Sequence, residues 1–229
     1  MAETKVNQGA PQVEVTPSGS EALLLKYKNI IIGAVIALLV IVAGYFFWKN
    51  TANQSFAKAS TAMAKAQEYY SQAVMSDDAA LFEKALNGDS IHAGFLAIAS
   101  DYSGKAANLA NLYAGICYSR LGNNEEAAKY LDKFSGVDDE MVTPAVKGAL
   151  ANAKASLGQL DEAVSLLTKA AAEADNSALS PMFLIQAGDI LESQGKKAEA
   201  LKLYEQIKEK YQDWTRYNSI DNYIERAKQ

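Results

Sequence analysis

Apolar residues follow two rhythms along the chain. From Ile30 to Trp48 come 19 consecutive residues without a charge, IIIGAVIALLVIVAGYFFW. From about residue 50 onward, apolar positions recur at i, i+3, i+4 and i+7, with no sustained period-two stretch, which predicts an all-α fold. Residues 1–22 follow neither rhythm; they contain Gly9, Pro11, Pro17 and Gly19 and read as a flexible tail.

At about 1.5 Å per residue, the uncharged run makes roughly 28 Å of helix, close to the hydrocarbon thickness of a bilayer. Lys26 and Lys28 precede it, Lys49 follows it, and Tyr45 and Trp48 lie at its far end, where amphipathic rings prefer the interface. A cleaved signal peptide would end in small residues. This run ends in Tyr45, Phe46, Phe47 and Trp48, so the expectation is an uncleaved transmembrane anchor at 23–49. Lys58 and Lys65 balance the lysines on the N-terminal side, so charge does not set the orientation.

Residues 50–104 read as a helical stalk and a degenerate first repeat. Phe56, Met63 and Tyr70 recur every seven residues, with Ala59, Ala66 and Ala73 on the same side. With alanine at half the seam, this stripe fits packing on a short helix near Ala80–Leu86 better than a coiled coil.

Beyond residue 105 the sequence repeats. Gly122, Gly158 and Gly195 stand 36 and 37 residues apart. Each is followed by an alanine five residues later (Ala127, Ala163, Ala200), then by Leu131, Leu167 and Tyr204, then by Phe134, Ala170 and Ile207. Gly115, Ala151 and Gly188 precede the turns. The turn glycines suit left-handed helix ends, and Glu125, Asp161 and Glu162 suit the start of the next helix. Small residues at 115, 151 and 188 predict close approach within each hairpin, while the large residues after the turn are expected to cover the neighbouring hairpin.

This spacing resembles the tetratricopeptide repeat (TPR), although the usual Trp and Pro are absent. The resemblance implies a TPR superhelix of helix-turn-helix repeats, with three repeats at 105–214 and a capping helix at 215–229. It also implies a partner-binding groove lined by the first helix of each pair. Carried onto this chain, that groove holds Leu109, Leu112, Ile116 and Arg120 in the first repeat, and Asn152 in the second. Met182, Ile185, Asp189 and Glu192 follow in the third. The alternative for Leu112 and Ile116 is packing against a preceding helix.

The layout is also similar to the bacterial YfgM-type proteins: a polar tail, one span, DDAALFEKALNGD at 77–89, then GFLAIASDYSGKAANLANLYAGICYSRLGNNEEAAKYL at 94–131. That resemblance implies an inner-membrane protein with a periplasmic C-terminal domain, accessory to the Sec translocon. Its partners would be translocon subunits, a PpiD-type periplasmic chaperone and emerging polypeptides. A membrane-tethered scaffold for envelope assembly or division is the alternative.

Composition narrows the chemistry. The net charge is −5, and residues 50–229 carry 18 basic against 24 acidic residues, which disfavours nucleic acid as a partner. One cysteine and one histidine exclude an intrachain disulfide and His-rich metal sites. Cys117 and His92 lie among apolar residues and are expected in ordinary packing. Asp138, Asp139 and Glu140 fit an acidic turn that starts a helix better than a cation site. No phosphate-binding glycine motif or catalytic constellation occurs, so neither an enzyme, a cofactor nor a small-molecule substrate is expected.

Overall fold

The three turn glycines organise the repeat region as their spacing predicts. Gly122, Gly158 and Gly195 have φ of 75, 76 and 76°, a conformation that disfavours a side chain. Their hydrogen bonds are the same in each copy. The glycine N–H donates three residues back, to the Ser119, Ala155 or Glu192 carbonyl. The next N–H donates five residues back, to Tyr118, Lys154 or Leu191, at 2.9 Å in all three. This is the double-bonded left-handed helix ending, used three times over.

The computed structural model describes the backbone of residues 19–136, 139–215 and 219–229, and the side chains of all of these except 19–33, 35, 36 and 215. Within it the chain divides into two units, Met1–Ala52 and Asn53–Gln229. The tail expected at 1–22 lies outside the described residues as far as residue 18. In the first unit, helix α1 (Gly19–Ser76) runs through the uncharged stretch. The described side chains from Leu38 to Trp48 are all exposed; Phe47 is 75% and Trp48 68% accessible. The side chains that open the expected span, at 30–33, 35 and 36, lie outside the described residues. Among the described residues, no helix is long and apolar enough to cross a membrane.

Among the described residues, the second unit contains the rest of α1 and ten further helices. The first are α2 (Ala79–Asn87) and α3 (Phe95–Asp101). The pairs α4/α5 (Lys105–Arg120, Asn124–Asp132), α6/α7 (Val142–Ser156, Leu160–Ala174) and α8/α9 (Ser180–Ser193, Lys197–Lys210) follow. The short α10 (Gln212–Thr215) and α11 (Ile220–Lys228) end the chain. The one β pairing among the described residues is an isolated bridge between Gly88 and Ala93. The stripe on α1 packs within the chain: Met63, Ala66 and Ala73 are buried with Phe82 and Leu86 of α2, and Tyr70 meets Phe82 and Tyr113 edge-on at 6.2 and 5.1 Å.

Each hairpin closes on a small residue. A Cβ on Gly115 would stand 2.5 Å from Leu131 Cγ, and one on Gly188 would stand 2.3 Å from Tyr204 Cε1. Leu131 and Tyr204 fill the gap inside their own hairpin and also meet the next element as expected, Leu131 in one cluster with Val146 and Leu150 of α6 and Tyr204 against Tyr223 of α11. The neighbouring-hairpin contact at Gly148 comes from Phe183, which opens the next repeat, at 2.4 Å from an added Cβ.

Polar staples join the second repeat to the third, at intervals just under that of the glycines. Asp161 binds Lys196 and Gln194, while Asp175 binds Lys210. Buried Ser180 donates to the Ala171 carbonyl at 2.7 Å and accepts from the Asn176 N–H at 3.1 Å, fixing the turn from α7 to α8. Asp139 accepts from the Met141 N–H at 2.7 Å and from the Val142 N–H, opening α6 as an acidic turn residue should; Asp138 lies outside the described residues. On α11, Ile220, Ile224 and Ala227 are buried against the α9 end of the repeats, where a capping helix is expected.

Candidate functional site

Helices α4, α6 and α8 carry the groove positions, and the structure sorts the nine sequence-predicted residues into three sets. Leu109, Leu112, Ile116 and Ile185 are half-buried and belong to the core. Leu109 packs with Phe95 and Ile98, towards the preceding helices. Leu112 and Ile116 pack the other way, on Leu131, Val146 and Leu150. Their buried part helps form a repeat junction, in contact with their own hairpin and the following repeat rather than a preceding helix. Ile185 packs beside Leu184 and Ala187 in the third repeat's cluster.

Asp189 and Glu192 form the second set. The Arg226 guanidinium of α11 pairs with both carboxylates. The Tyr204 hydroxyl also donates to Glu192 at 3.0 Å and stands 3.3 Å from Asp189. Burial opposes ionisation of Glu192, but Arg226 and Tyr204 outweigh it and hold its carboxyl below the usual range. Burial, then the hydrogen bond to Glu192, pushes the Tyr204 hydroxyl well up. The acidic end of the expected groove is therefore met by the chain's own C-terminal helix. Arg226 was missed in the sequence, although it stands 37 and 34 residues beyond its two partners, close to one repeat length.

Arg120, Asn152 and Met182 make the third set, and these face solvent. Met182 is 50% exposed. Two apolar residues that the sequence reading passed over are similarly exposed: Met141 at 50% and Val142 at 43%, at the start of α6. Met141 Sδ lies 3.9 Å from Asn176 Nδ2, in the turn that leads to α8. The signal was available, since Met141 and Val142 are adjacent apolar residues just before Pro144. Unbranched methionines at a surface adapt to varied apolar shapes, and the Arg120 guanidinium and Asn152 amide are exposed donors on the same first helices. These residues offer no nucleophile with a base.

The two single-copy side chains sit in opposite settings. Cys117 is fully buried, and burial pushes its thiol up to about 12. His92 corrects an expectation: it is exposed rather than packed, its Nδ1 lying 3.0 Å from both Asp89 oxygens. The Asp89 carboxylate also accepts from the Tyr69 hydroxyl at 2.7 Å and from the N–H groups of Ile91 and His92, both at 2.8 Å. It is the anchor of the 88–94 loop. Among the described residues no group of three or more His, Cys, Asp or Glu could hold a metal ion.

No curated protein matches the chain closely enough to count as a relative. Among solved structures, the chain is similar to nearly identical TPR-like repeats described as kinesin light chain, from Podosopora anserina. These are 16% identical, with 75% of this chain and 93% of that one covered, at a TM-score of 0.49. A single-substitution form of the same repeats is 17% identical over the same shares, at 0.46. The family model described as a tetratricopeptide repeat-like domain matches residues 23–222. With three superimposable glycine turns, small-on-large hairpin contacts and a match over most of its length, the chain belongs to the tetratricopeptide repeat-like domain family.

Proposed function

We propose that this TPR-like module is held at the bacterial inner membrane by the 30–48 helix and works as an accessory to the Sec translocon. There it passes emerging polypeptides to a PpiD-type periplasmic chaperone. The observation that carries the reading is the first unit: described side chains from Leu38 to Trp48 are apolar or aromatic on every face of the helix, exposed, and followed by Lys49. In water such a surface would be costly, and a bilayer covers it on all sides at once. The family match begins at residue 23, so it takes in the apolar run together with the repeats. The periplasmic orientation rests on the resemblance to YfgM-type proteins.

The surface that meets polypeptide is the exposed set Arg120, Asn152, Met182, Met141 and Val142, with affinity from shape and apolar contact rather than covalent chemistry. Affinity purification in mild detergent tests the role: translocon subunits and the chaperone should co-purify. Recovery of division or cell-wall factors alone would replace the reading with an envelope scaffold. Arg120→Glu with Met182→Glu should reduce capture several-fold while leaving helicity unchanged. Charged residues at Leu112 and Ile116 would be a poor test, because those side chains hold the junction together. A Lys105→Cys variant places an exposed thiol on the repeat unit while Cys117 stays buried, so an impermeant reagent reports the side of the membrane. Labelling from the cytoplasmic side would reverse the topology.

A further inference from the structure

The second helix of the first repeat is cut short. α5 has nine residues, where its counterparts α7 and α9 have 15 and 14. The sequence departs from the helix at Ser135-Gly136, with Gly136 at φ 76°, and the Ser135 N–H is tied to Asn108 Oδ1 at 2.8 Å. In the second repeat, the stretch that α5 lacks supplies Ala170 and Ala171, buried in one cluster with Phe183 and Leu184, and the buried Ala174. Among the described residues the first junction has no such closure, and a cavity of about 480 Å³ opens between α5, α6 and α7. None of the nine groove residues lines it.

The cavity has two chemistries. Its walls are Leu131, Phe134, Val146, Leu150 and Leu166. Its mouth is acidic: Asp132 is exposed and makes no ion pair among the described residues, and Glu173 faces it with Lys147 already paired to that carboxylate. The C-terminal carbonyls of α5 add partial negative charge beside Asp132. The next cation along the chain, Lys133, is drawn aside over the Tyr130 ring at 4.6 Å. The volume falls within the range of sites that take a small ligand or a few side chains.

We propose that this cavity is a second docking site on the repeats, taking one or two bulky apolar side chains of a polypeptide whose next residues are Lys or Arg. The apolar walls supply the affinity, and the acidic mouth selects the flanking charge. Its lining shares no residue with the groove, so it holds or fails independently of the translocon reading.

The test uses full-length protein in zwitterionic detergent and two fluorescein-labelled, end-blocked peptides, Ala-Phe-Leu-Lys-Arg-Ala and Ala-Phe-Leu-Glu-Glu-Ala. Anisotropy is corrected against empty micelles. The basic peptide should bind roughly fivefold or more tightly than the acidic one. Asp132→Lys, a change at an exposed position, should abolish that preference. Leu166→Trp, checked for helicity by circular dichroism, should fill the cavity and weaken the basic peptide about tenfold. Arg120→Glu with Met182→Glu should leave its binding unchanged. The proposal is overturned if the basic peptide fails to bind at roughly millimolar concentration, the weak end of the affinity scale, or binds wild type and Asp132→Lys alike. Loss in the Arg120/Met182 variant would overturn it too, by placing the peptide in the groove.

Discussion

Replacing Gly188 with alanine puts the hairpin packing to its sharpest test. α8 approaches α9 so closely that the new methyl would stand 2.3 Å from Tyr204 Cε1 and 2.6 Å from its hydroxyl oxygen. Tyr204 has little room to yield: it is 0% exposed, its ring lies 5.4 Å from that of Tyr223, and its hydroxyl is bound to Glu192. Helix propensity alone favours alanine over glycine by about 1 kcal/mol. Overpacking a closed core costs about 1–3 kcal/mol, and a contact this short against a fixed ring belongs at the top of that range. The net loss is then about 2 kcal/mol, equivalent to roughly 4–8 °C in Tm for a chain of this size. Thermal unfolding followed by circular dichroism reads the shift, with urea titration as the check on reversibility. The second repeat contains its own control, because Ala151 and Leu167 occupy the same two positions and share one buried cluster. Gly188→Ala combined with Tyr204→Leu copies that pair and should regain part of the loss. An alanine variant more stable than wild type by about 1 kcal/mol, the bare propensity value, would refute the packing argument.

Two further outcomes follow from the turns and loops. Ser180→Ala removes the donor to the buried Ala171 carbonyl and the acceptor for the part-buried Asn176 N–H, and should cost about 1–3 kcal/mol in urea unfolding; a change below about 0.5 kcal/mol, the range of ordinary surface substitutions, would mean that this turn does not hold the repeats together. The Tyr69 hydroxyl first, then the Ile91 and His92 N–H groups, hold the Asp89 carboxyl well below its usual range. Glu192 shifts the same way. A depressed carboxyl contributes stability that is complete above its unfolded pKa, about 4, and is lost as pH falls through the folded value. The urea midpoint should therefore stay level from neutral pH to about pH 5 and decline in more acid solution. Tyr69→Phe should lower the plateau and soften the decline, and an unchanged profile would remove Asp89 from the account.

The repeat was legible because its signals are local. Gly122, Gly158 and Gly195 mark helix ends that only the backbone conformation decides, and the small residues at 115, 151 and 188 recur at one spacing. Which helix fills each gap was less legible: Leu131 and Tyr204 reach both inward and across, and sequence periodicity does not distinguish the two. The groove was read by position, and position cannot reveal that Leu112 and Ile116 are partly taken up by the junction with the following repeat. Nor does it show that Arg226 satisfies Asp189 and Glu192, since that pairing joins residues on helices separated by α9. The shortening of α5 was signalled by Ser135-Gly136, yet an alignment that runs through Phe134 at a regular helical position conceals it.

Because Asp161 and Asp175 lie in the second copy and their partners Lys196 and Lys210 in the third, each of these two units holds half of the joint between them. An in-frame duplication that takes both copies together would carry the joint along intact, whereas one that breaks between them would set Gln159 in place of Lys196 and leave Asp161 without its cation. The pair, rather than the single hairpin, is therefore the module by which such an array could grow.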